Sequence, residues 1–341
     1  MHMADALVSP AVGGTMWVVS AGLIGYCSKK VKEDLDERKV PLMGIMGAFI
    51  FAAQMINFTI PATGSSGHLG GGLLLAVLLG PHAAFLVISS VLVVQALFFA
   101  DGGLLALGCN IFNLGFFPAF IAYPLIYRKI VQADPSPGRI LTGSLIAAIV
   151  GLQLGALGVV FETLLSGISS LPFSTFVVLM QPIHFAIAIV EGLVTAGVIS
   201  FVRTANPEIL ELGAPPAQTA AMTARKVLVV LLATAAFTGG FVSWFASGHP
   251  DGLEWSIEKV TGKGELENAY GIQDTLARVQ EAVSFLPGYS FRTSEAVAAQ
   301  PFQEQDPRLG TSVAGIVGGA FTLGLALLVG FALKKRPAGS R

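Results

Sequence analysis

The sequence predicts an all-α protein threaded repeatedly through a membrane. Of 341 residues, 53% are hydrophobic and 12% charged, whereas soluble domains carry about a quarter charged residues. The apolar residues gather into nine runs, most of them long enough, at about 1.5 Å per residue, to cross a hydrocarbon layer of about 30 Å. Forty glycines suit closely packed spans, where small residues let helix backbones approach.

In order, the runs are 11–27, 42–58, 69–80, 82–99, 106–127, 140–165, 173–202, 227–245 and 312–333. The third is short for a span, and only Gly80-Pro81-His82 separates it from the fourth. Basic residues decide the count, because cytoplasmic loops collect Lys and Arg. Nine crossings with the N-terminus outside place Lys29, Lys30, Lys32, Arg38 and Lys39 on the cytoplasmic side. The same count puts Arg128, Lys129, Arg139, Arg203, Arg225 and Lys226 there, with the tail Lys334-Lys335-Arg336 and Arg341. Merging runs three and four would send Arg128, Lys129 and Arg139 outside, so the third is expected to be a short span sheltered by its neighbours. The chain then reads as a multi-pass protein of the cell inner (plasma) membrane with a cytoplasmic C-terminus.

Composition changes after Val202. Residues 1–202 form a seven-helix bundle, and 203–226, with Pro207, Pro215 and Pro216, read as a cytoplasmic linker. Residues 227–341 form a two-span C-terminal module whose extracytoplasmic loop region, 246–311, includes helix within 265–285. No positively charged segment precedes an early apolar core, so no cleavable leader is expected. Met1 is expected to be retained, since initiator trimming prefers a small second residue.

That matters because Met1-His2-Met3-Ala4-Asp5-Ala6-Leu7-Val8-Ser9 reads as a chelating terminus. The α-amine of Met1, the amide nitrogen of His2 and one imidazole nitrogen of His2 close two fused rings around one ion. Three nitrogens in a plane favour Ni(II) or Cu(II). They must lose protons to bind, so acid weakens the site. The fourth ligand expected is His68, in Gly64-Ser65-Ser66-Gly67-His68-Leu69-Gly70-Gly71-Gly72, which the topology puts on the same outer face. Asn57, Ser65 and Ser66 are expected either to hold the second nitrogen of the His68 ring or to cap helix ends.

These residues carry a resemblance. The Met1–Asp5 start, the loop around His68 and the seven-span layout resemble the nickel/cobalt substrate-binding (S) components of energy-coupling-factor transporters. His249-Pro250-Asp251-Gly252-Leu253-Glu254-Trp255 and Phe285-Leu286-Pro287 resemble the small two-span N-type partner of the same systems. The resemblance implies one Ni(II) or Co(II) bound by the tucked-in N-terminus as transported substrate. It also implies a separate transmembrane coupling (T) protein and cytoplasmic ABC-type ATPases. The Met-Ala-Asp-Ala-Leu start is more similar to the nickel type than to the cobalt type.

Other features fit transport rather than an ATPase or a membrane metallopeptidase. No G-x-x-x-x-G-K-[ST] loop occurs, so ATP is hydrolysed elsewhere, and no H-E-x-x-H helix occurs. The net charge of −1 recruits no nucleic acid, and no bound organic cofactor is expected. Cys27 and Cys109 read as buried bystanders. Intramembrane His184, Glu162 and Glu191 read as hydrogen-bonding groups, or, in a proton-coupled carrier working without an ATPase, as pathway residues. His249 reads as a loop histidine, His82 as a solvated turn histidine, and Asp101-Gly102-Gly103 as an outer turn.

Overall fold

The computed structural model describes every residue except Met1, 35–38, 133, 169–170, 211–221, 264–265, 293–306 and 335–341. Each apolar run folds as helix: α1 (Pro10–Asp34), α2 (Val40–Gln54), α3 (Gly72–Leu79), α4 (Pro81–Phe99), α5 (Leu107–Val131), α6 (Pro137–Ser166), α7 (Phe173–Ala205), α8 (Ala224–Gly240) and α11 (Pro307–Leu333). Among the described residues six of these are long and apolar enough to cross a membrane, namely α1, α4, α5, α6, α7 and α11. At about 1.5 Å per residue, α2, α3 and α8 are shorter than a bilayer core.

Local chemistry sets the boundaries. Ser9 accepts Val12 N–H on its hydroxyl (3.4 Å) and Gly13 N–H on its carbonyl (2.8 Å), and Pro10 opens α1 with its φ already helical. Pro81 and Pro137 likewise start α4 and α6. Within α5 the ladder widens to a π-helical stretch, Phe112–Tyr127, which contains Pro118 and Pro124. Neither proline has an N–H to keep the tighter spacing.

All eight residues of α3 are buried, and so is nearly all of α2. Helices apolar all round sit inside a bundle. Around them α6 packs on α7 and α5, while α8 and α11 pack against α2. The C-terminal part of the chain is therefore built onto the first part along α2. Phe51 rests on Gly318 of α11, where any side chain would collide with the ring.

Three sequence expectations change. The glycine-rich loop is not purely irregular. Phe58–Ile60 (β1) and Ser65–Gly67 (β2) form a small antiparallel hairpin, with Thr59 opposite Ser66, in an otherwise helical protein. Gly64 makes its turn possible at φ 77°. The region 246–311 holds not only the helix expected within 265–285, α10 (Gly271–Val283), but also α9 (Gly252–Thr261), and α11 begins inside it. The supposed linker 203–226 is helical at both ends, since α7 runs to Ala205 and α8 starts at Ala224. Residues 211–221 of the linker lie outside the described set.

Gly72 opens α3 directly below the His68 loop. A methyl group there would press on the Leu114 carbonyl oxygen and the Pro118 ring. Overpacking of this kind costs about 1–3 kcal/mol, so Gly72→Ala is expected to lower the melting temperature of detergent-solubilised protein by several degrees.

Candidate metal site

Residues 2–9 enter the bundle as main chain, so their polar groups need partners there. Met3 N–H donates to Asn110 Oδ1 (2.8 Å), and the Met3 carbonyl accepts from Gly103 N–H (2.9 Å) and Asn110 Nδ2 (3.2 Å). Asp5 accepts Ala106 N–H on Oδ1 at 3.0 Å. Asp5–Leu7 make one tight helical turn. From α10, Gln273 Nε2 donates to the carbonyls of Asp5 (2.8 Å) and Val8 (3.0 Å). Met3, Leu7 and Val8 are fully buried around this ladder. Gly103 is glycine because Asp5 occupies the space a side chain would take.

The ladder brings His2 onto His68. Their rings stack with centroids 4.9 Å apart and planes 12° from parallel. His68 Nδ1 lies 3.0 Å from the Leu69 carbonyl. A carbonyl only accepts, so Nδ1 carries the proton and Nε2 the lone pair. Burial pushes the His68 imidazole down to about 3, keeping it neutral. His2 Nδ1 lies 3.0 Å from Asp101 Oδ1, and its Nε2 is buried without a hydrogen-bond partner.

Asp101 is held in turn by the Tyr289 hydroxyl, which donates to Oδ2. Burial alone would raise the Asp101 carboxyl. The His2 ring beside it and the Tyr289 hydroxyl reverse this and hold it well below the usual carboxylate range. Asp101 is thus an acceptor at any ordinary pH.

The His68 hairpin is anchored from two sides. Within the bundle, Glu191 of α7 accepts Gly70 N–H (2.7 Å) and Gly71 N–H (3.2 Å). From the C-terminal part, the Pro250 carbonyl accepts Ser66 N–H (2.8 Å), the His249 carbonyl accepts the Ser66 hydroxyl (2.7 Å), and Asp251 continues β2 as an isolated parallel bridge. Each residue of Pro250-Asp251-Gly252-Leu253-Glu254 now has a physical role. Asp251 accepts Leu253 N–H and Glu254 N–H, and Glu254 returns a bond to Asp251 N–H, a capping box for α9. Gly252 leaves room for Ile183 and His184, and Leu253 is buried.

Of the residues expected at the site, His2 and His68 come together, and Met1 lies outside the described residues. Ser65 and Ser66 do not hold the His68 ring. Ser65 pairs with Thr63 (2.9 Å) and Ser66 reaches His249, because the hairpin turns their hydroxyls away from the imidazole. Asn57 gives its carbonyl to Ser247 N–H, and its side-chain oxygen is unpaired. His184 bonds the Met180 carbonyl one turn back (2.8 Å) rather than crossing helices, and Glu162 accepts from Asn113 Nδ2 (2.7 Å). His82 is half-buried between Tyr26 and Phe120 rather than solvated. Cys27 and Cys109 are free and buried. Among the described residues no three His, Cys, Asp or Glu side chains converge on one point. Asn110, Gln273 and Tyr289 escaped the sequence reading, and Asp101 was read only as part of an outer turn. The available signal was a lone amide in an apolar run for Asn110, and for Asp101 a carboxylate on the same face as the N-terminus.

Residues 2–209 match the family model of the cobalt uptake substrate-specific transmembrane region, CbiM. The chain belongs to this family. As a CbiM-family protein it is a transmembrane metal-transport component and not an enzyme. Residues 225–335 match the PDGLE domain, named for the run at Pro250–Glu254. Over 98% of both chains it is 31% identical to the putative fused nickel transport protein NikMN of Archaeoglobus fulgidus. It is 28% identical to the fused nickel transport protein NikMN of Rhodobacter capsulatus, covering 99% of this chain and all of that one. A crystal structure of a truncated transition metal transporter, 31% identical, superposes with a TM-score of 0.53 over 59% of this chain and 98% of its own.

Two outcomes follow from the geometry. His68 is neutral when folded and takes a proton when unfolded, so between about 6.5 and about 3 the unfolded chain binds more protons. The stability from burying it is fully present above that window and drains away as pH falls through it. A His68→Gln variant is expected to lose melting temperature less steeply on acidification from pH 6.5, as followed by thermal unfolding. Tyr289→Phe removes a hydrogen bond to a charged acceptor worth about 1.5–3 kcal/mol, and should destabilise the protein without changing its fold, as checked by circular dichroism on heating.

Proposed function

We propose that this chain captures Ni(II) at the outer membrane face and delivers it inward, as the substrate-binding subunit of an ATP-driven energy-coupling-factor importer. In this reading a seven-helix unit holds the metal and a fused two-span module caps it. A transmembrane coupling protein and cytoplasmic ATPases, as separate chains, drive its reorientation. One observation carries the reading: two buried imidazoles, His2 and His68, brought together from distant parts of the chain and stacked 4.9 Å apart. Nickel over cobalt is supported by the names of the relatives that match over the whole length.

The chemistry needs the free amine of Met1, the deprotonated amide of His2 and one imidazole nitrogen of His2, with His68 completing a plane of nitrogens. A six-membered chelate ring back to the His2 amide closes only through Nδ1. Loading therefore exchanges the Nδ1 contact with Asp101 for the metal. Release inward requires a second state that binds the ion less well, which withdrawal of residues 2–9 from their partners supplies.

The decisive test lengthens the chain by one residue before Met1. Every side chain remains, but the amine moves out of the chelate. Ni(II) binding by calorimetry and uptake in cells should both collapse, as they should in His2→Ala and His68→Ala, while Co(II) should compete poorly in the unaltered protein. Undiminished nickel binding by the extended chain would sink the reading.

A further inference from the structure

Above His2, between the N-terminal segment and helices α9 and α10, lies a cavity of about 720 Å³. At about 30 Å³ per liquid water it has room for a fully hydrated ion. Its described lining contains six carboxylates, Asp5, Asp101, Asp251, Glu254, Glu267 and Asp274, and no Lys or Arg, while Lys263 pairs with Glu267 from beside it (2.9 Å). Glu254, Glu267 and Asp274 expose their side chains. Burial and then the charge of Asp251 raise the Glu254 carboxyl, the mark of negative groups crowded in one space. At the floor stands His2, with its side chain only 6% exposed and Nε2 unbonded.

We propose that this cavity is an antechamber for hydrated divalent cations, built jointly by the two parts of the chain, which collects the ion and passes it to His2 and His68. The proposal rests on the reading of those two histidines as metal ligands and adds where the ion waits. Clefts lined by one sign of charge raise local counter-ion concentration and association rates by about 10- to 1,000-fold, an effect that salt removes. Carboxylates and water suit any hard divalent ion, whereas a nitrogen plane discriminates. The antechamber therefore supplies speed, and the histidine site supplies choice. The first part contributes the floor through Asp5 and Asp101, and the rim comes from Glu254, Glu267 and Asp274. This gives the C-terminal part a task besides holding the hairpin.

The test is stopped-flow association of Ni(II) with the full chain in nanodiscs, at low and high ionic strength. The variant is Glu254→Gln, Glu267→Gln and Asp274→Asn combined. Each replacement removes charge and keeps an oxygen that can accept the existing bonds from Asp251 N–H, Lys263 and Asn268. Association should slow at least tenfold at low salt and converge with the unaltered protein at high salt, while the dissociation rate and the one-ion stoichiometry stay the same. Equal association rates at low salt would overturn the proposal. Should the triple variant unfold, the Glu267→Gln/Asp274→Asn pair is measured instead, and an unchanged low-salt rate overturns it equally. Failure of the histidine reading is told apart by the one-residue extension. If the extended chain still binds nickel, that reading falls. If it does not bind and the charge variants associate normally, only the antechamber falls.

Discussion

The structure depends on a stretch of main chain drawn largely out of water into the end of the bundle. Met3 and Asp5 to Val8 are buried, and burying unpaired peptide groups costs more than the packing of their side chains returns. The bundle answers with a set of fixed partners: Asn110 on both sides of Met3, Gly103 and Ala106 at the head of α5, and Gln273 from α10. With those in place, His2 has little freedom in where its ring goes. The precision of the stacked histidines comes from peptide hydrogen bonds around them more than from the rings.

The same logic explains why acid groups inside the bundle are structural. Glu191 spends both oxygens on Gly70 and Gly71 at the root of the His68 loop, and Glu162 takes the Asn113 amide. Each satisfies a neighbour that would otherwise be unpaired in an apolar surrounding. Among the described residues several buried side-chain atoms stay unbonded, His2 Nε2, Gln54 Oε1 and Asn113 Oδ1 among them.

Much of this was legible in the sequence. Apolar runs marked the helices to within a few residues, since long helices in lipid announce themselves by composition alone. That His2 and His68 would meet was legible because the topology put the N-terminus and the glycine-rich loop on one face, and their rings do stack. Long-range pairing was not legible. Nothing local in Ser66 tells that its amide meets the Pro250 carbonyl, or that Tyr289 reaches Asp101 across the fold. The β-hairpin and α9 were missed for related reasons. Phe58–Ile60 is too short to show a period of two, and α9 depends on a capping box whose acids looked like loop charge. Which of their two expected roles Ser65 and Ser66 would take was not legible, because chain proximity does not fix which side of a strand faces the imidazole.

The bridge between Ser66 and Asp251 joins residues far apart along one polypeptide. Two separate chains making the same few contacts would meet at a rate set by their abundance in the bilayer, and would part often. Tethering replaces that encounter with an intramolecular one. The segment that anchors the His68 hairpin is therefore always present in equal number with it, whatever the cell's expression level.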